Sequence, residues 1–405
     1  MYRLAAVAKQ GPARFNQLEM TMPSLSALPH DSGRRNLLMG AAAMAGAAPL
    51  GMAVAQPVRS GMPDHPQPQP ARRSHAGMGT GLVGYMLAHE QFPVQELIGI
   101  ANNAANGGFH LLATSDHFQP WQANEAHSGE AWVTLGALSA QVLRAWMGTT
   151  VTCPILRYSP AVVAEAFASL SQLAPGRIFL GVGSGEALNE EAATGIWPKW
   201  QERWDRLGEA ITIIRALWAG EQVSHKGNHY TVEAKLYDPP PHPIPLLTAA
   251  NGRKSMRLAG QHGDGLVTDP QSWKQNKAEW QDAASAVGKN PDDMPVLVEQ
   301  YVVVGDERDA RQAAELWRFG PDAFKNLYNV RDPAEIQRRA AAQTPIEQVM
   351  KGWPISNDPG PHLDKIHELQ ASGVTIVNIH AGQQDQARVI EFYATHVLPN
   401  LPQPS

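Results

Sequence analysis

Short apolar runs alternate with amphipathic segments from about residue 81 to the end of the chain. Each run is rich in β-branched or aliphatic residues and is bounded by glycine, proline, asparagine or aspartate, which is typical of buried strands. The runs are GLVGYML, HLLATSD, WMGTTVTC, RIFLGVG, PLLTAAN, GDGLVTD, MPVLVEQYVVV and GVTIVNIH. Eight strands, each followed by a helix, predict an α/β protein with a closed (β/α)8 barrel. An open, doubly wound sheet is the alternative.

The segments between these runs carry apolar residues every three or four positions, as amphipathic helices do. In KWQERWDRLGEAITIIRALWAG the spacing of Trp204, Leu207 and Ile211 predicts one long helix. A second helix is predicted to start at Pro160, with Ser159 as its cap, and to stop before the Pro175-Gly176 pair.

Two further patterns bear on the fold. GVGSGE resembles a dinucleotide-binding turn, but Glu186 stands where that fingerprint needs its third glycine, so the pattern does not support the open sheet. The chain from Phe319 to about Leu369 is longer than one βα unit requires. We therefore expect an insertion before the last strand that covers the barrel mouth.

The first 55 residues have the pattern of an export signal. Arg34 and Arg35 precede an uncharged, alanine- and glycine-rich stretch from Asn36 to Ala55. This predicts a twin-arginine signal peptide, read by the Tat translocase and directing the folded protein to the periplasm or cell envelope. A membrane anchor is the alternative, although alanine, glycine and Pro49 make a weak spanning helix. Export in the folded state favours a tightly held, non-metal or organic cofactor.

Residues 56–79 are rich in proline and glutamine and are predicted to form an extended linker, which leaves 80–405 as the barrel domain. The net charge is -5, and no basic stripe interleaved with aromatic residues follows the amino-terminal segment, so nucleic acid is not expected as a partner. The only cysteine, Cys153, excludes an intramolecular disulfide and a cysteine-based zinc site within one chain.

Candidate chemistry gathers where predicted strands end. In SDHFQPWQ, Asp116, His117 and Trp121 follow the second strand, Glu90 follows the first, and Glu186 follows the fourth. In a barrel these strand ends share one rim. His117 would accept a proton near neutral pH, with Glu90 to orient it and Trp121 as a flat apolar wall. Each of the three has an ordinary structural alternative. His117 could be a structural hydrogen-bonding residue, Glu90 could form a surface ion pair, and Trp121 could be a core residue.

Glu186 comes directly after the apolar run FLGVGSG, and a carboxyl buried there must be paired, protonated or functional. Other chemistries fit less well. HEQF and HELQ lack the second histidine of a metalloprotease helix, so no metal site is expected. No Gly-x-Ser-x-Gly elbow is present for a hydrolase. Cys153 is expected to be a buried packing residue rather than a nucleophile.

Five longer segments carry a resemblance to a known family: MLAHEQF, SDHFQPW, GTTVTCPILRYSPAVVAEAFASL, GRIFLGVGSGEALNE and LTAANGRKSMRLAGQHGDG. They resemble the luciferase-like flavin and deazaflavin oxidoreductases. Within that family the chain is similar to glucose-6-phosphate dehydrogenases that use coenzyme F420, and more closely to exported relatives described as hydroxymycolic acid dehydrogenases. The resemblance extends from about Gly81 to Leu401.

The resemblance implies a catalytic role for four residues. His117 matches the family's base, which removes the substrate hydroxyl proton while a hydride passes to the deazaflavin. Glu90 matches the partner of that base, and Trp121 matches the aromatic held against the reacting ring. Glu186 matches the acid that protonates N1 of the reduced coenzyme. That role requires a protonated carboxyl, and we therefore expect Glu186 to be desolvated.

The resemblance also implies a site for coenzyme F420, with FMN as the alternative. Thr150 and Val151 match a non-prolyl cis peptide beside the ring, and Cys153 stands where the sugar-phosphate enzymes have threonine, so it offers no hydroxyl. The loop at 249–252 opens a helix, where backbone N–H groups bind phosphate, with Arg253 and Lys254 near the anionic tail. The expected cofactor contacts are Asp116, Thr150, Val151, Cys153, Ser184, Gly185, Asn189, Ala249, Ala250, Asn251 and Gly252.

The substrate expectation rests on missing cations. Where the sugar-phosphate enzymes carry a basic trio, this chain aligns Lys235, Gln300, and Trp317 beside Arg318. A neutral or lipid-like secondary alcohol, or the ketone in reverse, is therefore favoured over a sugar phosphate. Two other functions stay open, namely an FMN-dependent monooxygenase and a non-catalytic periplasmic deazaflavin-binding protein. The resemblance also favours a homodimer.

Overall fold

Eight parallel strands close into a barrel in the computed structural model, which describes residues 75–405. The barrel strands are β1 (Leu82–Leu87), β2 (Leu111–Thr114), β3 (Trp146–Thr152), β4 (Ile178–Val182), β7 (Leu246–Ala249), β8 (Gly265–Thr268), β9 (Val296–Val302) and β10 (Ile376–Ala381). Around the barrel their order is β1-β10-β9-β8-β7-β4-β3-β2. The closed barrel and all eight predicted strands are confirmed, and the open-sheet alternative is wrong.

The side chains of each strand alternate between two cores. Residues such as Leu82, Phe179 and Leu247 point into the barrel and form its interior cluster. Their neighbours Val83, Leu180 and Leu246 point outward and join the larger cluster beneath the helices. Because both strand faces are buried, the strands are near-continuous apolar runs rather than alternating ones, and the runs could be recognised in the sequence.

Helices surround the barrel. They are α1 (Val94–Asn106), α2 (Ala131–Ser139), α3 (Pro160–Leu173), α4 (Glu190–Thr194), α5 (Trp200–Trp218), α6 (Arg253–His262), α7 (Pro270–Ala286), α8 (Glu307–Leu316), α9 (Pro333–Gln343), α10 (Ile346–Val349), α11 (Pro359–Ala371) and α12 (Gln386–Phe392). The two helices predicted individually are α3 and α5, and both are confirmed. Ser159 occupies the N-cap position of α3, but its side chain makes no capping hydrogen bond. None of the helices among residues 75–405 is long and apolar enough to cross a bilayer.

A short antiparallel hairpin between α5 and β7 was not predicted. It consists of β5 (Val223–Lys226) and β6 (Thr231–Ala234). Its strands are polar and partly exposed, so they lack the apolar run that marked the barrel strands. The hydroxyl of Tyr230 donates to the carbonyl of Ile155 at 2.8 Å and fixes the hairpin to the loop that follows β3.

The start of the described chain is packed rather than extended. Met78, which the sequence placed in the linker, is buried among the interior residues of the barrel. Thr80 exchanges two backbone hydrogen bonds with Ser405, each 3.2 Å long, so the two ends of the domain meet. The predicted signal segment 1–55, and the predicted linker as far as residue 74, lie outside the described residues.

The predicted insertion lies between α8 and α11, at 317–358, and contains α9 and α10. The last part of the predicted range belongs to α11, the ordinary helix before β10. The insertion lies on the βα loops of the carboxyl-terminal rim. The carbonyl of Tyr328 accepts the N–H of Ala187 at 2.9 Å, and the carbonyl of Arg331 accepts from Gln119 Nε2 at 3.1 Å. It therefore covers one side of the barrel mouth.

Candidate active site

The residues singled out in the sequence follow five strands that are consecutive neighbours in the barrel. Going round the barrel, these strands are β1, β2, β3, β4 and β7. All five are parallel, so the loops after them leave from the same end. The barrel thus brings Glu90, His117, Val151, Glu186 and Asn251 to one arc of the carboxyl-terminal rim.

His117 and Glu90 form an imidazole–carboxylate pair. Nδ1 of His117 lies 3.5 Å from Oε1 of Glu90, which is within ion-pair range and longer than a hydrogen bond. The other carboxylate oxygen of Glu90 accepts from the Ser115 hydroxyl at 2.6 Å. Glu90 is 2% exposed, whereas 12% of the His117 side chain is accessible. Since Nδ1 faces the carboxylate, Nε2 is the ring nitrogen left for a substrate.

Trp121 forms an aromatic wall next to His117. Their ring centroids are 5.8 Å apart, and Trp121 stacks on Phe319 of the insertion at 4.6 Å with an interplanar angle of 12°. The neighbouring Gln122 donates from Nε2 to the carbonyls of Glu315 and Leu316 at 2.9 and 3.0 Å. Oε1 of Gln122 also accepts the backbone N–H of Phe319 at 3.1 Å. The loop after β2 is therefore fixed to the end of α8 by hydrogen bonds, and to the insertion by stacking and one hydrogen bond.

Asn189 connects the His117 loop with Glu186. Its Oδ1 accepts the backbone N–H of Phe118 at 2.8 Å, and its Nδ2 donates to Oε2 of Glu186 at 3.2 Å. Asn189 is 2% exposed, so these bonds form away from bulk water. Glu186 and the His117 loop are thus joined through one side chain at the rim.

The expectation of a deeply buried Glu186 is not met, because this residue is only half-buried. The buried carboxyl of the segment is Glu190, one helical turn further on and inaccessible to solvent. Burial raises the pKa of Glu190 to about 7, although Arg157 opposes the shift. The apolar run did signal a buried acid, but the turn after β4 exposes Glu186 and places Glu190 inside.

Arg157 joins this buried acid to Asp116. Its guanidinium lies 2.8 Å from Oδ1 of Asp116 and 3.6 Å from Oε1 of Glu190, and its backbone N–H donates to Oε2 of Glu190 at 2.8 Å. The second oxygen of Asp116 accepts from the Thr152 hydroxyl at 2.6 Å. Asp116 thus bonds to protein groups through both oxygens. Sequence reasoning missed Arg157 and Glu190; the signal was a lone cation in CPILRYSP.

The expected cofactor contacts at the strand ends form a partly accessible surface. The peptide bond between Thr150 and Val151 is cis, as the resemblance implied. Half-buried positions interrupt the otherwise buried strand ends, namely Thr150, Val151, Ser184, Gly185 and Ala249. Small and apolar side chains at this level leave a surface suited to a planar ring.

Gly185 packs directly against Cys153. The φ angle of Gly185 is +75°, and a Cβ at this position would lie 2.6 Å from Sγ of Cys153 and 2.8 Å from Cγ of Glu190. Only glycine fits both this left-handed backbone and this approach. Cys153 is buried, and burial raises the pKa of its thiol well above the usual range, in agreement with a packing role.

The loop after β7 differs from the phosphate cradle that was expected. The N–H groups of Asn251 and Gly252 both point to the hydroxyl of Ser255, at 3.3 and 3.1 Å. Arg253 forms an ion pair with Glu279 instead of standing free for an anion. Ala250 is buried, with its N–H donated to the carbonyl of Val267 at 3.0 Å. The expectation that 251 and 252 offer free N–H groups is therefore wrong.

The positions aligned with the basic trio do not form a cationic cluster. Lys235 is exposed at the end of β6, and Gln300 is buried and donates to the carbonyls of Tyr301 and Gly352. Arg318 donates to the carbonyl of Thr344 at 2.7 Å. Across residues 75–405, no group of three histidine, cysteine or acidic side chains is placed to hold a metal ion.

A parallel barrel with its polar groups on the carboxyl-terminal rim defines the class of (β/α)8 enzymes. The family model described as "Luciferase-like monooxygenase" matches residues 73–375. The chain belongs to this luciferase-like family.

Individual relatives are closer. The chain is 43% identical over 339 residues to an F420-dependent hydroxymycolic acid dehydrogenase of Mycobacterium tuberculosis, covering 83% of this chain and 90% of that protein. It is 38% identical over 326 residues to an F420-dependent glucose-6-phosphate dehydrogenase of Beutenbergia cavernae, covering 79% and 97%. A solved F420-dependent secondary alcohol dehydrogenase, in complex with an F420-acetone adduct, has a TM-score of 0.75 at 30% identity and covers 80% of this chain and all of that one.

Proposed function

We propose that this protein oxidises a secondary alcohol to a ketone with coenzyme F420, or catalyses the reverse reaction, using His117 as base and Glu186 as proton donor. The observation that supports this most directly is the His117–Glu90 pair at 3.5 Å, on the rim to which Asn189 connects Glu186. A base and an acid from separate βα loops are thereby available on one side of the barrel.

Dependence on F420 comes from the relatives. The two sequence relatives are both F420-dependent dehydrogenases, and the solved alcohol dehydrogenase carries an F420 adduct. The rim is suited to the deazaflavin of F420. Val151 and Ala249 are half-buried and apolar, and Ser184 and Gly185 are half-buried at the end of the neighbouring strand β4. These residues would hold the deazaflavin ring, and F420, when bound, supplies a two-electron hydride acceptor.

His117 would take the hydroxyl proton of the alcohol at Nε2. The imidazolium that forms is stabilised by the carboxylate of Glu90, which Ser115 holds in place with a 2.6 Å hydrogen bond. Because Glu90 is buried, its charge acts through little water and is weakly screened. Trp121 and Phe319 exclude water from one side of His117 and provide an apolar surface for the substrate carbon chain.

Glu186 would donate the proton that the coenzyme needs on accepting the hydride, while His117 holds the proton of the alcohol. Its Oε2 accepts from Asn189 Nδ2, which leaves Oε1 free of protein partners among the described residues. The buried Glu190 does not compete for this role, since its side chain is inaccessible to solvent and is enclosed beside Arg157.

A neutral, lipid-like alcohol is the substrate class that we favour. Lys235, Gln300 and Arg318 do not converge, and the side of the mouth formed by the insertion is aromatic, with Trp121, Phe319 and Trp317 in contact. A phosphorylated sugar would need cations where this wall is apolar.

Two alternatives predict different observations. An FMN-dependent monooxygenase would bind FMN and consume oxygen, and the name of the family model is the finding that favours it. A non-catalytic deazaflavin-binding protein would bind F420 without turnover, and substitution of His117 would change nothing measurable.

The deciding experiment mixes purified protein with oxidised F420 and a panel of secondary alcohols, or with reduced F420 and ketones, and follows coenzyme absorbance. Turnover without oxygen uptake supports the proposal. Oxygen consumption with FMN, or F420 binding without turnover of any alcohol or ketone, contradicts it.

We also propose export through the Tat translocase to the periplasm or cell envelope, on the basis of Arg34 and Arg35 ahead of the uncharged stretch. Replacing both by lysine should leave the protein in the cytoplasm, and fractionation that finds it exported as before would contradict this. A homodimer follows from the family resemblance, and light scattering at micromolar concentration would test it.

A further inference from the structure

Three buried side chains next to the proposed active site each carry a polar atom without a partner among residues 75–405, namely Oε1 of Gln91, Nε1 of Trp317 and Nε2 of His380. We propose that these side chains form a subsite for a second hydroxyl group of the substrate, separate from the hydroxyl that is oxidised. The proposal deepens the alcohol dehydrogenase function and rests on it.

The three side chains are linked through Gly382 and through one contact between aromatic rings. Gln91 Nε2 donates to the carbonyl of Gly382 at 3.4 Å. A Cβ on Gly382 would lie 3.2 Å from Cδ1 and 3.6 Å from Nε1 of Trp317, so this glycine leaves the indole N–H uncovered. The rings of Trp317 and His380 meet edge to face with centroids 4.3 Å apart. Each of the three side chains is at least nine-tenths buried.

His380 is held in one orientation by its neighbours. Its Nδ1 lies 2.7 Å from Oε1 of Glu299, and its ring stacks on Tyr301 at 4.2 Å with an interplanar angle of 19°. The Glu299 carboxylate accepts the Nδ1–H of His380, which leaves Nε2 as the ring nitrogen without a partner among residues 75–405. On β9, Glu299 and Tyr301 alternate with the outward-facing Val298 and Val302, and on β10 His380 lies between the outward-facing Ile379 and Ala381. Glu299, Tyr301 and His380 therefore point into the barrel.

The chemistry of the three atoms selects a hydroxyl group. The indole N–H of Trp317 is a donor only, whereas Gln91 Oε1 is an acceptor, as is His380 Nε2 in the neutral form of the ring. A hydroxyl can accept from the first and donate to either of the others. An anion would face the oxygen of Gln91 and the nearby carboxylate of Glu299, and an apolar group would leave all three buried polar atoms unsatisfied.

The subsite is continuous with the proposed catalytic residues. Gln91 directly follows Glu90, and Trp317 contacts Phe319, which stacks on Trp121 beside His117. Burial raises the pKa of Tyr301 well above its usual range, and Glu299, Glu125 and Glu90 each add to the shift. Tyr301 packs against two members of the subsite, with ring centroids 4.2 Å from His380 and 5.4 Å from Trp317.

The test compares secondary alcohols with diols of the same carbon chain whose second hydroxyl is placed at successive carbons. With F420, at least one diol should show a kcat/KM about 3- to 10-fold above its mono-alcohol, the gain expected of one or two neutral hydrogen bonds. Trp317→Phe, which removes the N–H donor together with part of the indole ring, should lower this diol-to-alcohol ratio towards one. Gln91→Met, which removes an acceptor at similar volume, should do the same.

Trp204→Phe is the matched control, because Nε1 of Trp204 is also buried without a partner but lies on α5, outside the subsite. It should leave the ratio unchanged. A wild-type protein that oxidises the mono-alcohols with no preference for any diol overturns the subsite, which would then hold water only, while the dehydrogenase function stands.

If no alcohol is oxidised at all, the proposed function fails, and the subsite is judged by binding. In histidine-labelled protein the Nε2 resonance of His380 should then shift on titration with a diol and not with the matching mono-alcohol. The absence of any such difference would overturn the subsite on its own.

Discussion

Oδ1 of Asn189 accepts the backbone N–H of Phe118 at 2.8 Å, one residue after His117. Its Nδ2 donates to Glu186 at 3.2 Å, so one buried amide sets the position of both groups proposed to move protons. The two loops that it joins follow β2 and β4, which do not pair with each other because β3 lies between them. Asn189 is therefore a positioning residue.

Two replacements of Asn189 should separate its effect on the His117 loop from its effect on Glu186. Asn189→Ala loses both bonds, and we expect kcat to fall by about 10- to 100-fold, the scale on which small misplacements act. Asn189→Asp keeps an acceptor for Phe118 but places a second carboxylate against Glu186, so it should impair the Glu186 step while preserving the His117 loop. Steady-state kcat and KM would measure both effects; wild-type kcat in both variants would contradict the positioning role.

His117→Ala should abolish alcohol oxidation while F420 still binds. Loss of a general base typically costs about 10²- to 10⁴-fold in rate. Coenzyme binding is followed by fluorescence titration and turnover by absorbance. His367→Ala on the exposed side of α11 is the control and should match wild type. If His117→Ala loses coenzyme binding and turnover together, the residue has a structural role instead.

Glu190 should make stability depend on pH. Its folded-state pKa of about 7 lies above the usual 4.5, so the folded protein holds the proton more tightly than the unfolded chain does. Its contribution to the free energy of unfolding is then fully present below pH 4.5 and is lost as the pH rises through 7. Relative to Glu190→Gln, wild type should lose about 3 kcal/mol over that window.

Denaturant unfolding at several pH values between 4.5 and 8 would measure this difference. Glu165→Gln serves as the control, because Glu165 is exposed on α3 and its replacement should leave the pH profile unchanged. A constant difference between wild type and Glu190→Gln across the window would show that the buried carboxyl does not titrate there.

Gly185→Ala should be more destabilising than Gly195→Ala, although both glycines have φ near +70°. A Cβ at Gly195 meets nothing within 4 Å, so its cost is the backbone strain of about 1 kcal/mol. At Gly185 the clash with Cys153 adds about 1–3 kcal/mol. Adding Cys153→Ala should recover part of this extra cost in thermal unfolding, and equal costs at the two glycines would contradict the packing argument.

Much of the fold could be read from the chain because the relevant forces are local. The run IFLGV is apolar throughout because both faces of β4 are buried, and this pattern can be recognised without knowledge of the neighbouring strands. The β5–β6 hairpin was not predicted, because its four-residue strands are mostly polar and partly exposed. Glu186 was expected to be buried because the apolar run stops there, but the direction of the following turn decides which acid points inward.

The sequence by itself determined the eight strands, the rim on which His117, Glu90 and Glu186 follow their strands, and, through its motifs, the luciferase-like family. Tertiary structure alone decided which side chains touch. Arg157 meets Asp116 across 41 positions and Gln91 reaches Gly382 across 291, distances over which local patterns carry no signal. Such contacts form only when the barrel closes, because closure makes neighbours of strands that lie far apart along the chain.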